Sequence, residues 1–144
     1  MKKRRSNLAS HVFAAAITLL VIPTSGQSES MQTEENPTLL KFNMDELSAQ
    51  RAGTDLPYLE FMRLESMSGY IYELPAGATD EQTPHDQDEI YYVVKGRSDL
   101  TVDGETVAIK PGDILYVKKF ARHLFSNITE DLRLLVVFAP PDTE

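Results

Sequence analysis

The chain of 144 residues contains no cysteine and no tryptophan. Without cysteine there is no disulfide, no thiolate metal site and no thiol nucleophile. Histidine is scarce, with His11, His85 and His123 as the whole set. Positive charge is thin: 14 Lys and Arg stand against 22 Asp and Glu, a net charge of −8. That balance does not suit nucleic acid or an anionic lipid surface as a partner. Neither a phosphate-binding loop nor a Ser-His-Asp arrangement is present to suggest other chemistry. The apolar fraction of 42% is ordinary for a globular protein, and the length fits one domain.

What is there begins with a sorting signal. Lys2, Lys3, Arg4 and Arg5 form a basic stretch. Val12 to Ile22 (VFAAAITLLVI) is a mostly apolar run, too short to span a bilayer comfortably. Pro23 ends it, and Thr24-Ser25-Gly26 offers small residues for cleavage. Residues 1–26 therefore read as an export signal, with a periplasmic or extracellular destination. The alternative is an uncleaved N-terminal anchor. Arg4-Arg5 with Leu8 is partly similar to a twin-arginine signal, although Asn7 holds the usual Phe position. No cysteine follows, so a bacterial lipoprotein is excluded. Loss of four cations and no acids takes the chain from −8 to −12.

Residues 27–37 (QSESMQTEENP) are polar and acidic and read as a flexible linker. The folded domain is expected over 38–144. Residues 43–52 predict one short helix, with Asn43 as its cap and Gly53 at its end. The rest is strand-like: 57–65, 69–74, 89–95, 98–102, 105–109, 114–118, 123–126 and 132–138. Asp103-Gly104 is a strong hairpin signal. Many short strands with turns between them indicate an all-β sandwich or small barrel.

His85 and His123 both flank strands in this array, and Glu89 follows His85 closely. Taken singly, each is more often a hydrogen-bonded or solvated residue. Taken together, two imidazoles and a carboxylate suit a divalent ion with open coordination positions. On a straight strand His85 and Glu89 would stand about 13 Å apart, too far to share an ion. They can do so only if the chain bends, which the polar Asp86-Gln87-Asp88 permits.

This segment resembles the cupin superfamily, in particular its small single-domain bacterial members. Gly77, five residues, Thr83, Pro84, His85, three residues, Glu89, six residues and Gly96 match the spacing of the first cupin motif. Thr83 stands where that motif has its first His. Gly112, Lys118, Phe120, His123 and Asn127 match the spacing of the second motif, with Lys118 and Phe120 in place of its Pro and Gly. The resemblance covers about residues 56–140. It implies an all-β, cupin-type double-stranded β-helix (jelly-roll barrel) with a short N-terminal helix. It also implies one divalent metal ion (Fe, Mn, Ni or Zn) on His85, Glu89 and His123. Thr83 would be a weak fourth ligand, a hydrogen-bond donor or a spectator. Glu81 shares its strand parity and is a candidate substitute ligand, while Gln82 and Gln87 belong at the surface or behind the ligands.

Tyr91 and Phe125 share a face with the ligands and should point inward. Tyr72, Phe61 and Arg63 are further pocket candidates, Arg63 as a partner for an anionic substrate. For the aromatics, plain core packing is the competing reading. The strand 89–95 is apolar on both faces, so its outer face needs cover from the N-terminal strands or from a second subunit. A homodimer is expected. Three functions compete: a metal-dependent enzyme on a small organic substrate, dioxygenase-like or else an isomerase or lyase; a non-catalytic small-molecule or metal-binding module; and a structural barrel with a vestigial motif.

Overall fold

A computed structural model describes residues 37–141. The expected export signal and all of the linker except Pro37 lie outside the described residues. One helix, α1 (Met44–Ala52), precedes six strands. These are β1 (Tyr58–Arg63), β2 (Ser68–Leu74), β3 (Asp88–Val102), β4 (Glu105–Ile109), β5 (Ile114–Val117) and β6 (His123–Ala139). Among the described residues no helix is long and apolar enough to cross a membrane.

Local chemistry sets the ends of these elements. The Asn43 side chain accepts from the backbone N–H groups of Asp45 and Glu46, which would otherwise lack partners at the helix start. Asp103 and Gly104 both take positive φ, as a two-residue hairpin between β3 and β4 requires.

Two pairs of expected strands prove to be single long ones. Residues 89–95 and 98–102 form the continuous β3, and 123–126 and 132–138 form the continuous β6. Gly96 does not end a strand. It sits inside β3 at φ +94, where the pairing with β6 shifts register repeatedly. A side chain there would place its Cβ 2.4 Å from the Asp131 carbonyl oxygen. The glycine thus lets two backbones meet at a bulge, and the bulges bend the ribbon.

That bend organises the fold. The sheet is antiparallel in the order β1-β2-β6-β3-β4, with β5 also on β3. The first half of β3 pairs with β5 and with the last half of β6; its second half pairs with β4 and with the first half of β6. The long β3–β6 ribbon therefore belongs to two groups of strands, which fold over one another as the expected double-stranded β-helix. Alternate residues fill the interior, among them Tyr91, Val93, Leu100, Phe125, Leu134 and Val136. Each such burial contributes on the order of 1.5–3 kcal/mol.

The outer face of β1 and β2 has its own cover. Leu47 of α1 and Ile71 of β2 are buried outside the barrel's core cluster. Glu73 on β2 accepts hydrogen bonds from Ser48, Arg51 and Arg133 and so ties α1 to β2 and β6.

Candidate metal centre

Closure of the sheet creates the site. In register, Glu89 stands opposite Phe138, whereas His123 stands opposite Val102. The two therefore mark opposite ends of the β3–β6 ribbon, about 40 Å apart if the ribbon were straight. Their side chains are 3.2 Å apart, Glu89 Oε2 to His123 Nε2. Bending of the ribbon brings them together. His85 arrives from the loop before β3, where the chain bends at Asp86 and Gln87. Its ring lies 5.4 Å from that of His123 and edge-on to Phe138 at 4.9 Å. Ligand atoms of His85, Glu89 and His123 all lie within 4.8 Å of one another.

Burial and hydrogen bonding define what these atoms can do. Glu89 and His123 are 1% and 5% exposed. His123 Nδ1 faces the Ala121 carbonyl at 2.9 Å. A carbonyl only accepts, so Nδ1 carries the hydrogen and Nε2 of the neutral ring holds a lone pair. That lone pair points toward a carboxylate oxygen. With the ring neutral, neither Nε2 nor Oε2 has a hydrogen-bond partner. Two buried lone pairs at this distance repel unless a cation lies between them. Burial lowers the His123 pKa, but the Glu89 carboxylate, the Ala121 carbonyl and Asp80 outweigh it, and the net shift is upward. The site is one that attracts positive charge.

The donor set fits a divalent metal. Metal–ligand bonds of about 2.1 Å put adjacent ligand atoms about 3 Å apart, close to the Glu89–His123 separation. His85, supplied by the loop before β3, is the third candidate ligand. The hydrogen bond from His123 Nδ1 to Ala121 is the usual arrangement behind a metal-bound imidazole. Among the described residues no other group of three or more His, Asp or Glu gathers in this way.

A cavity of about 500 Å³ opens beside these residues. His85, Glu89, Thr83, Tyr72 and Tyr91 line it. Glu81 and Gln82 line it too, but Glu81 is exposed and stands outside the three-residue cluster. Gln87 is buried. Phe125 lies behind the lining, packed against Tyr91 at 5.1 Å and Tyr72 at 6.5 Å. Phe61 and Arg63 do not line the cavity. Phe61 faces outward, against Phe42 and over Gly69. Arg63 is forked onto Glu60 and also donates to the Tyr70 hydroxyl. The cavity face of β1 is instead Tyr58 and Glu60, which pair in register with Tyr72 and Tyr70.

One residue without a motif position holds the site's framework. Asp80 is buried and accepts four hydrogen bonds: from the Tyr72 hydroxyl (2.5 Å), Gln82 Nε2 (2.7 Å), the Gln82 backbone (3.2 Å) and the Phe125 backbone (2.7 Å). Gln82 in turn accepts from the Tyr91 hydroxyl at 3.0 Å. The loop carrying Thr83 and His85 is thereby fixed to β2, β3 and β6. Burial first, and then Asp80, Glu89 and Glu81, push the Tyr72 hydroxyl pKa far up. Burial and Glu89 do the same to Tyr91. Both phenols stay neutral at ordinary pH.

The second motif keeps its shape despite its substitutions. Phe120, where the motif has Gly, takes φ +65, a conformation that costs a non-glycine residue about 1–2 kcal/mol. Its N–H donates to the His85 carbonyl at 2.6 Å, linking the two motifs.

Residues 70–138 match the model of the cupin domain family. The chain is 50% identical over 102 residues to an uncharacterized protein of Streptomyces coelicolor, covering 71% of this chain and 97% of that one. Among solved structures it is similar to an RmlC-like cupin with a double-stranded β-helix fold from Methanocaldococcus jannaschii. That match has a TM-score of 0.52 and 26% identity, over 60% of this chain and 84% of the other. It is also similar to the DMSP lyase DddQ from Ruegeria pomeroyi, with a TM-score of 0.50 and 22% identity, over 53% of this chain. The matched part is 39% of the lyase's length, and that likeness speaks to fold alone. The chain belongs to the cupin superfamily, and its barrel is of the cupin-2 type.

Proposed function

We propose that this protein is a metal-dependent cupin that acts on a small organic molecule held in the barrel cavity. The observation that carries the reading is the buried, unpartnered pair Glu89 Oε2 and His123 Nε2, with His85 beside it. His85, Glu89 and His123 would hold the ion, which supplies Lewis acidity or, as iron, access to O₂ chemistry. The chain's own residues do the rest. Asp80 and Gln82 hold the loop, Phe138 adds apolar surface to the cavity, and Tyr72 and Tyr91 stay neutral. The cavity of about 500 Å³ beside the three residues supports a small-molecule ligand.

Elemental analysis of protein purified without a histidine tag or chelator tests this. About one equivalent of Fe, Mn, Ni or Zn, lost in His123→Ala, is expected. No metal after reconstitution with excess ion would sink the proposal. A second reading, non-catalytic capture of a metal or small molecule, is favoured by Thr83 in the place of a ligand. O₂ uptake or turnover by the metal-loaded protein separates the two.

Two further parts of the proposal concern the cell and the assembly. The basic stretch and the short apolar run support export, which mass spectrometry of the mature N-terminus near residue 26 checks. The outer face of β3 and β5 supports a homodimer. Ile90 pairs with Tyr116 and Tyr92 with Ile114, and all four are exposed apolar side chains. Sedimentation of Ile114→Glu against the parent protein measures this.

A further inference from the structure

The cavity that the proposed function assigns to a ligand has an asymmetric lining. Glu60, Glu81 and Glu89 line it, and no lysine or arginine does. The charge of Arg63 is matched by Glu60. Asp80 adds a further carboxylate directly behind Tyr72. Even with a divalent ion on Glu89 and the two imidazoles, the mouth retains Glu81 without a basic residue in the lining.

The remaining lining is aromatic. Four of the chain's six tyrosines, Tyr58, Tyr70, Tyr72 and Tyr91, line this one cavity. Tyr70 and Tyr91 are buried and form its wall. Tyr58 is exposed and Tyr72 half-buried, and they sit side by side across β1 and β2. Glu81 lines the same cavity as this pair, whereas the charge of Glu89 is taken up by the ion. Aromatic faces carry negative charge density and attract cations, more strongly where water is excluded. The Glu81 carboxylate in the same lining adds to that attraction and repels anions. A neutral molecule gains only from apolar contact.

We propose that the cavity selects a small organic cation, an alkylated ammonium, over neutral or anionic molecules of the same shape. This rests on the reading that the cavity beside His85, Glu89 and His123 is the ligand site. A volume of about 500 Å³ admits such a ligand.

Three probes of one shape test the proposal: choline, its uncharged carbon analogue 3,3-dimethylbutanol, and the anion 3,3-dimethylbutanoate. Each is titrated calorimetrically into the zinc-reconstituted protein, with zinc content measured in the same sample. Tyrosine emission gives a second readout, since the chain has no tryptophan. Choline should bind about five- to tenfold more tightly than the alcohol. The carboxylate should bind more weakly than choline despite the ion. Glu81→Gln, at an exposed loop position, should bring choline and the alcohol closer to parity. Tyr58→Leu should weaken choline more than the alcohol. Equal or tighter binding of the alcohol or the carboxylate overturns the cation assignment. So does the absence of choline binding with zinc in place, and either result leaves the metal centre standing. If zinc and all three probes fail to bind, both the assignment and the metal-dependent reading fall.

Discussion

Replacing Asp80 by Asn tests whether one carboxylate fixes the loop that carries His85. The carboxylate accepts four hydrogen bonds, two at each oxygen. An amide in its place keeps one acceptor oxygen and turns a donor toward two former donors. If the nitrogen replaces Oδ2, it faces Gln82 Nε2 and the buried Phe125 N–H. If it replaces Oδ1, the Tyr72 hydroxyl can rotate to accept, and only the Gln82 N–H loses its partner. The second arrangement is cheaper and should be adopted. Bonds to a charged acceptor contribute about 1.5–3 kcal/mol each, and an orphaned donor costs about 1–3 kcal/mol. Since one oxygen still serves two donors, we expect a loss of about 2–4 kcal/mol. For a domain of this size that is a fall in Tm of roughly 10–20 °C. Metal affinity should fall about tenfold as the His85 loop loosens. Differential scanning calorimetry and a competitive zinc titration measure the two effects, with Asp86→Asn on the same loop as the control. A Tm within about 2 °C of the parent, or equal losses in both variants, would refute the reasoning.

Other expectations follow from the same geometry. His85→Ala and His123→Ala should each sharply reduce metal content while Thr83→Ala reduces it little, and Thr83→His should tighten binding; total metal loss in Thr83→Ala would show that the three-ligand set is wrong. Gly96→Ala should unfold the barrel or cost more than about 2 kcal/mol, because the new Cβ meets backbone at 2.4 Å. Gly112→Ala, with positive φ but open space, should cost only about 1–2 kcal/mol in a urea melt. Burial raises the Glu73 pKa, but its bonds from Ser48, Arg51 and Arg133 outweigh that, so the net shift is downward. A depressed folded pKa means that its stabilisation is present above the unfolded value of about 4.5 and is lost as pH falls through the folded value. Glu73→Gln should therefore lower Tm at pH 7 and flatten its decline at acid pH; an unchanged acid limb in a pH series of melts would refute the linkage.

What the sequence disclosed and what it withheld divide by the range of the interaction. The helix at 43–52 was legible because its cap and its stop are local, and Asp103-Gly104 marked its hairpin for the same reason. That His85, Glu89 and His123 would gather was legible through motif spacing, although the approach of Glu89 to His123 depends on closure of the whole barrel. The break expected between 89–95 and 98–102 is absent, because a glycine that stops a strand and one that bulges it look alike in one dimension. Only the approach of Asp131 from β6 distinguishes them. Phe61 and Arg63 were placed in the pocket because β1 carries apolar side chains on both faces. The helix α1 and Phe42 cover the outer face, so alternation alone could not tell which side was the cavity. Asp80 went unnoticed because it has no motif position and its partner Phe125 lies 45 residues away.

The two motifs thus act less as separate ligand donors than as the edges of one seam. Phe120 of the second motif donates to the carbonyl of His85 of the first, and Asp80, just upstream of His85, binds the backbone of Phe125, just beyond His123. Each histidine is therefore held by contacts to the strand or loop that carries the other. Thr83, which stands where the first motif has a His, takes no part in these cross-links, because they run through backbone atoms and through Asp80. Phe120 takes the left-handed backbone that the motif's glycine would take, and its N–H donates to the His85 carbonyl. The framework around Thr83 therefore stands without a histidine at that position.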